Sequence, residues 1–331
     1  MKPELFFPIS ADAQKLYWPD EVVDRLGRIA ALVMPDPDAE PWDRCGPDTR
    51  AIVVGWGAPQ LPESVWSRLS GLIAVGIFGG SASYIESPTD LLRTGVTLSN
   101  ASPEMGEGVA ETTLALMLAS QYDLVNSASA FRETGRLDYD VDRVNRSLAG
   151  STVGLIGFGY IGRMVAALLR PLGTSILVHD PYADVAKQGF PDCRQTDLNS
   201  LLKKSDVVSL HAGWTKETEG MLGPDRLDLL KPGALVVSTA RMPIFVQEAL
   251  AERVLAGRLR FASDFIPFDR TIWSRPEMMA CPGLIAVHGH TSVTGRTVRR
   301  MAERVATDLE RIFSGEEPEN RVTEEWISRT T

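Results

Sequence analysis

Cysteine is scarce in this chain: three residues in 331, at Cys45, Cys193 and Cys281, far apart and odd in number. No CxxC spacing occurs, so a disulfide framework and a thiolate metal centre are excluded, and no metal is expected. Long apolar runs are missing as well; none approaches the roughly 20 residues that span a bilayer. The opening Met1-Lys-Pro-Glu-Leu-Phe-Phe-Pro lacks a signal peptide's apolar core. A cytoplasmic protein with no membrane partner is expected. Positive charge is in deficit, 34 Lys and Arg against 43 Asp and Glu, for a net −9. That balance argues against a nucleic-acid partner. The one basic cluster, Arg296, Arg299, Arg300 and Arg304, is interrupted by Glu303 and reads as the solvated face of an amphipathic helix. Hydrophobic content of 44% and charged content of 23% are ordinary for a globular chain. The length suits two domains, each with its own core.

The positive signal begins at Thr152-Val-Gly-Leu-Ile-Gly157-Phe158-Gly159-Tyr160-Ile161-Gly162. An apolar, β-branched run meets a glycine-rich turn and then a helix-favouring stretch, Arg163 to Leu169. This is strand–GxGxxG–helix, the context a dinucleotide fingerprint requires. Gly157 permits the tight turn, Gly159 lets backbone approach a pyrophosphate, and Gly162 lets helix and strand pack closely. Amides and dipole at the new helix's start hold the anion. A second strand, Ser175 to His179, ends at Asp180, where a carboxylate can take the ribose hydroxyls and repel a 2′-phosphate. NAD is the expected cofactor.

The first hundred residues alternate short strands (Glu4–Ile9, Ala51–Gly55, Gly71–Val75, Gly95–Ser99) with helices near Asp20–Ile29, Glu63–Leu69 and Pro88–Arg93. They form a small α/β unit. Ser102-Pro103-Glu104 then offers an N-cap and a first-turn proline for a long helix continuing through Leu118. Phe131 to Gly150 is polar and irregular, a dimer arm or a plain surface loop. From Ser151 the βα alternation resumes, with strands at Asp206–His211, Ala234–Thr239, Phe261–Asp264 and Leu284–His288. A final helix, Gly295 to Phe313, comes too late for that sheet and can return to the first unit. The fold class is α/β, with two Rossmann-like doubly wound domains.

In an open α/β sheet the carboxyl ends of the strands face the ligand. Arg241, Asp269 and His288 stand just past strands of the second unit. A guanidinium can hold a carboxylate and a carbonyl oxygen with two prongs. An imidazole can exchange the proton that a carbonyl needs when a hydride reduces it. His290 competes with His288, which is preferred at the strand end; His179 more naturally lines the adenosine side.

These features together resemble the D-isomer-specific 2-hydroxyacid dehydrogenases. The resemblance runs from about Gly71 to Val322. It rests on Gly154–Gly162, Val178-His-Asp180-Pro-Tyr, Asp206–His211 with Thr215–Gly220, Leu230–Arg241, and the tail Phe313–Val322. It implies a NAD-binding domain, 101–291, inserted into a discontinuous substrate-binding domain, 1–100 plus 292–331, in a homodimer. The family's catalytic arginine, acid and histidine fall on Arg241, Asp269 and His288. Its carboxylate-binding glycine loop falls on Phe78, Gly79, Gly80 and Ser81, with Arg241 also facing the substrate. Its cofactor contacts extend to His211, Thr239, Ala240 and Asp264. Asn100 and the helix after it match the crossing into the cofactor domain.

The chain departs from the family at several places. Asp269-Arg270 stands where Glu-Pro is usual, Met242 follows the arginine in place of Gly, Val287 precedes the histidine in place of Pro, and Ser81 replaces the loop's second glycine. Asp264 is a weaker substitute for the acid. The implied function is hydride transfer between NAD(H) and a 2-oxo acid/2-hydroxy acid pair, with His288 as acid and base. The alternatives are an NAD-binding sensor or interaction protein with little turnover, and a dehydrogenase on the same fold that oxidises formate or phosphite. Trp56, Phe78, Trp273 and Met242 are candidates for an apolar substrate pocket, or for core.

Overall fold

The computed structural model describes every residue except 1, 37, 137–144, 265–269, 288, 290–292 and 331. The assignments made to Asp269, His288 and His290 therefore lie outside the described residues. The chain divides into two compact units, Met1–Met105 with Val293–Thr331, and Gly106–Ser292. No described helix is long and apolar enough to cross a membrane.

The first unit is built on a parallel sheet of five strands in the order β2-β1-β3-β4-β5. These are β1 (Glu4–Phe6), β2 (Ala31–Val33), β3 (Thr49–Gly55), β4 (Ala74–Phe78) and β5 (Thr97–Asn100). Every residue of β4 is buried, as expected of a strand covered on both faces. The late helix Gly295–Phe313 covers one of those faces. It buries Val298, Met301, Ala302, Val305, Ala306 and Leu309, the i, i+3, i+4, i+7 spacing of an apolar stripe. A Cβ on Gly76 of β4 would lie 2.8 Å from Val305 Cγ1, so glycine is what lets helix and strand approach. The helix's basic face is tied by ion pairs: Arg299 to Glu21, and Arg304 Nε to Glu104 at 2.7 Å.

The second unit carries a parallel sheet of seven strands in the order β12-β11-β10-β9-β6-β7-β8. They are β6 (Thr152–Ile156), β7 (Ser175–His179), β8 (Arg194–Gln195), β9 (Val207–Leu210), β10 (Ala234–Ser238), β11 (Leu259–Ser263) and β12 (Leu284–Ala286). The chain runs outward from β6 to β7 and β8, then returns to β9 on β6's other side. Strand order thus reverses at β6/β9, the switch point where a doubly wound sheet opens a crevice at its carboxyl ends.

Several sequence expectations are corrected. A helix, Ala11–Tyr17, was not expected; only Ala13 and Tyr17 pack on the core, half-buried, too short a stripe to read, and Ser10 caps it by accepting from Ala13 N at 3.3 Å. The strand expected at Gly71–Val75 falls at Ala74–Phe78; it is β4 because β2 (Ala31–Val33) was not expected. The stretch expected to be irregular from Phe131 begins inside a helix, Leu124–Thr134, which stops at Gly135 in the left-handed region at φ 66°.

Candidate active site

The glycine loop of the second unit is shaped by close backbone contacts. Gly157 has φ 90°, and a Cβ there would lie 2.6 Å from Ala212 N. At Gly162 a Cβ would lie 2.3 Å from the Gly157 carbonyl oxygen. Gly159 differs: nothing stands within 4 Å of its missing Cβ, and it begins the helix Tyr160–Leu169 with no side-chain cap. The first-turn amides of that helix are therefore left for a ligand, the arrangement that takes a phosphate group. Phe158 contributes backbone alone. Its ring is buried, edge-on to Phe190 at 5.2 Å.

Asp180 ties this loop to the exit of β7. Its Oδ2 accepts from Phe158 N at 2.7 Å, and its Oδ1 accepts from Tyr182 N at 2.8 Å and Ala183 N at 3.2 Å. A carboxylate has about four lone-pair sites, so one remains for a ribose hydroxyl. The Tyr182 hydroxyl donates to Glu217 Oε2 at 2.8 Å, a contact the sequence did not reveal. Tyr160 is exposed with Arg163 over its ring, and Ile161 lies half-buried near Gly106. His179 Nδ1 lies 3.2 Å from the Thr196 carbonyl.

Neighbouring strand ends bring further residues to the same edge. His211 follows β9, and its amide donates to Ile156 O at 2.7 Å. Its Nε2 meets Ser209 Oγ at 2.9 Å, while Nδ1 is sealed from solvent with no partner among the described residues. Burial pushes the imidazole down to about 3, so the ring is neutral at physiological pH. Thr239 Oγ1 lies 3.3 Å from Thr113 Oγ1, and Ala240 N donates to Ser238 Oγ at 3.3 Å, both just past β10. Arg241 is exposed and opens a short 3-10 turn, Met242–Ile244. Asp264 is buried past β11, its amide on Ser238 O at 3.3 Å. An orphaned ring nitrogen, uncapped amides and an open glycine fit a dinucleotide at this edge.

The loop after β4 of the first unit is organised differently. Gly79 has φ 156°, and a Cβ there would meet Tyr84 Cε2 at 3.0 Å. A Cβ on Gly80 would meet Met105 Cε at 2.5 Å and Ser102 Oγ at 3.5 Å. Ser81 Oγ accepts from Ser83 N at 3.1 Å and caps the turn Ala82–Tyr84. The Gly80 and Ser81 amides donate to no described residue. Phe78 was expected in the substrate site, but its side chain is fully buried against Trp18 at 4.9 Å and Trp56 at 5.8 Å. Met242 and Trp273 are likewise core. Trp273 packs on Phe261 at 5.2 Å and donates to Gln247 Oε1 at 3.0 Å. Trp56 stays half-buried, with Nε1 3.7 Å from the missing Cβ of Gly79. Ser102 does not cap its helix as expected. The helix Ser102–Gln121 starts at it, Asn100 Oδ1 accepts its amide at 3.0 Å, and its own Oγ is buried with no partner.

Comparison with known proteins agrees with this geometry. A family model described as "D-isomer specific 2-hydroxyacid dehydrogenase, NAD binding domain" matches residues 114–282, half of the chain. It makes NAD the cofactor. The glyoxylate reductase of Thermofilum pendens is 27% identical over 280 residues, covering 80% of this chain and 79% of that protein. The hydroxypyruvate reductase of Blautia hydrogenotrophica is 22% identical over 80% of this chain and 83% of that protein. The D-mandelate dehydrogenase structure from Rhodotorula graminis superposes with a TM-score of 0.85 at 18% identity, covering 98% of each chain, and speaks to the fold alone. A sheet edge built for a dinucleotide, matched to a family whose members are NAD-dependent oxidoreductases with two Rossmann-like domains, places this chain in the D-isomer specific 2-hydroxyacid dehydrogenase family.

Proposed function

We propose that this chain interconverts a 2-oxo acid and its 2-hydroxy acid. The observation that carries the reading is the edge at β6, β9, β10 and β11. Uncapped amides, a neutral His211 and Arg241 gather there, in the stretch matched as the family's NAD binding domain. When bound, NAD(H) supplies or accepts the hydride. Arg241 orients the substrate and stabilises charge on its oxygen. His288 gives or takes the proton at the hydroxyl oxygen, and Asp269 holds the imidazole in its protonated form. The amides of Gly80 and Ser81 hold the substrate carboxylate. The first unit is assigned to substrate and the second to cofactor.

A homodimer belongs to the same reading. The helix Leu124–Thr134 buries none of its residues. It exposes Leu124, Val125 and Phe131, an apolar set that a second copy could cover. A second copy of the chain is the occupant expected there, and a monomeric mass in solution at micromolar concentration would remove it. Three free cysteines fit a reducing cytoplasm.

The function is tested by following NADH absorbance with a panel of 2-oxo acids. Consumption with at least one, against a flat trace for NADH alone, is the expected result. Tight NADH binding with no consumption across the panel would replace this reading with that of an NAD-binding protein without turnover.

A further inference from the structure

Ser102 carries a hydroxyl whose place in the fold is unexplained. Its Oγ is sealed from solvent and makes no hydrogen bond among the described residues. Leaving such a group unpaired costs about 1–3 kcal/mol. Its ordinary task at this position would be to cap the helix Ser102–Gln121. The first turn is served by others: Asn100 Oδ1 takes the Ser102 amide at 3.0 Å, Pro103 has no N–H, and Met105 N donates to Ala101 O at 3.1 Å, while the Glu104 amide has no acceptor among the described residues. The hydroxyl is thus free to donate elsewhere.

Its surroundings indicate where. The missing Cβ of Gly80 lies 3.5 Å from Ser102 Oγ, so the hydroxyl faces the glycine loop. The Gly80 and Ser81 amides of that loop donate to no described residue. The Ser102 hydroxyl and these two amides are therefore uncommitted, the hydroxyl packed against the glycine loop at the positive end of a 20-residue helix. The nearest carboxylate in the first turn, Glu104, is buried and held by Arg304 Nε at 2.7 Å and Asn320 Nδ2 at 3.2 Å. Its charge is already matched.

We infer that Ser102 is a substrate-binding residue, its hydroxyl donating to the carboxylate of the 2-oxo acid beside the amides of Gly80 and Ser81. This rests on the function proposed above. It gives a role to a serine hydroxyl that has no structural partner beside the loop. It also assigns substrate selection to charge: an acid fills all three donors, and a neutral analogue leaves at least one unpaired.

The test compares wild type with Ser102→Ala and Ser102→Thr. In Ser102→Ala, KM for the oxo acid and Ki for oxamate should rise about tenfold or more, as for loss of a hydrogen bond to a charged group. The NADH Kd should be unchanged. Ser102→Thr keeps the hydroxyl and should recover much of the oxamate affinity. The ligand-free Tm of Ser102→Ala should equal or exceed that of wild type, because the hydroxyl removed had no partner. A Ser102→Ala enzyme with wild-type KM and Ki overturns the inference and leaves the function standing. So does a fall in ligand-free Tm with Ki unchanged, which marks a structural role. A wild-type protein that neither turns over any 2-oxo acid nor binds oxamate removes the function and the inference with it.

Discussion

The two glycine loops of this protein face opposite constraints. In the loop Gly157–Gly162, a side chain at Gly157 or Gly162 would strike backbone, at 2.6 Å and 2.3 Å. Backbone cannot step aside. In the loop Gly79–Ser81, the atoms in the way are the ends of side chains, Tyr84 Cε2 at 3.0 Å and Met105 Cε at 2.5 Å. Side-chain ends can turn. The loop assigned to the cofactor is thus fixed by the main chain. The loop assigned to the substrate is constrained at Gly80 by a side chain that can move, and at Gly79 also by its own φ of 156°. The departure from the family pattern at Ser81 falls in the second kind of loop.

The contrast is broken most severely at Gly157. Gly157→Ala combines a disfavoured φ of 90° with a backbone clash, and should cost about 3 kcal/mol or more in urea unfolding. NADH binding, followed by fluorescence, should be lost. A stable variant that binds NADH would show that this loop is as adaptable as the other.

Arg241→Lys comes next. It keeps the charge but loses the planar two-pronged donor. A fall of about 100-fold in kcat/KM for the oxo acid is expected, with NADH affinity unchanged. Kinetics like those of wild type would remove Arg241 from the reaction.

His211 gives a pH signature to the cofactor side alone. In the unfolded chain its imidazole, near 6.5, takes a proton that the folded protein refuses down to about 3. The unfolded state then binds more protons, so stability falls as pH drops through 6.5 and continues falling toward 3. Between pH 7 and 5 the contribution lost is up to about 2 kcal/mol. His211→Asn should flatten that part of the stability profile. An unchanged slope would mean that the ring is solvated enough to titrate normally.

The smallest effect is expected at Gly80. Met105 Cε can swing away from a new methyl, so Gly80→Ala should cost about 1 kcal/mol or less. Its signature should be a raised KM for the oxo acid rather than a lost fold. Collapse of the protein on this change would erase the distinction between the loops.

How much of this was legible follows from the same physics. The helices Asp20–Ile29 and Gly295–Phe313 match their expected spans because both carry strong apolar stripes. The glycine loop Gly157–Gly162 was legible because Gly157 and Gly162 answer to backbone. The helix Ala11–Tyr17 was not, since only Ala13 and Tyr17 reach the core, too short a stripe to read. Phe78 was placed in the substrate site by its neighbours in sequence. Strand alternation puts it on the face of Ala74 and Gly76, under the helix Gly295–Phe313, and there it is core. The triple backbone pairing of Asp180 and the idle hydroxyl of Ser102 arise from turns that only the folded chain brings together.

In the proposed reaction a hydride passes between NADH and the C2 carbon of a 2-oxo acid. NADH carrying deuterium at the transferred C4 position tests this, with the product read by mass spectrometry. The expected product is a 2-hydroxy acid bearing the deuterium on C2, formed in step with NADH consumed. An unlabelled product, or labelled NADH left intact beside every 2-oxo acid tried, would contradict it.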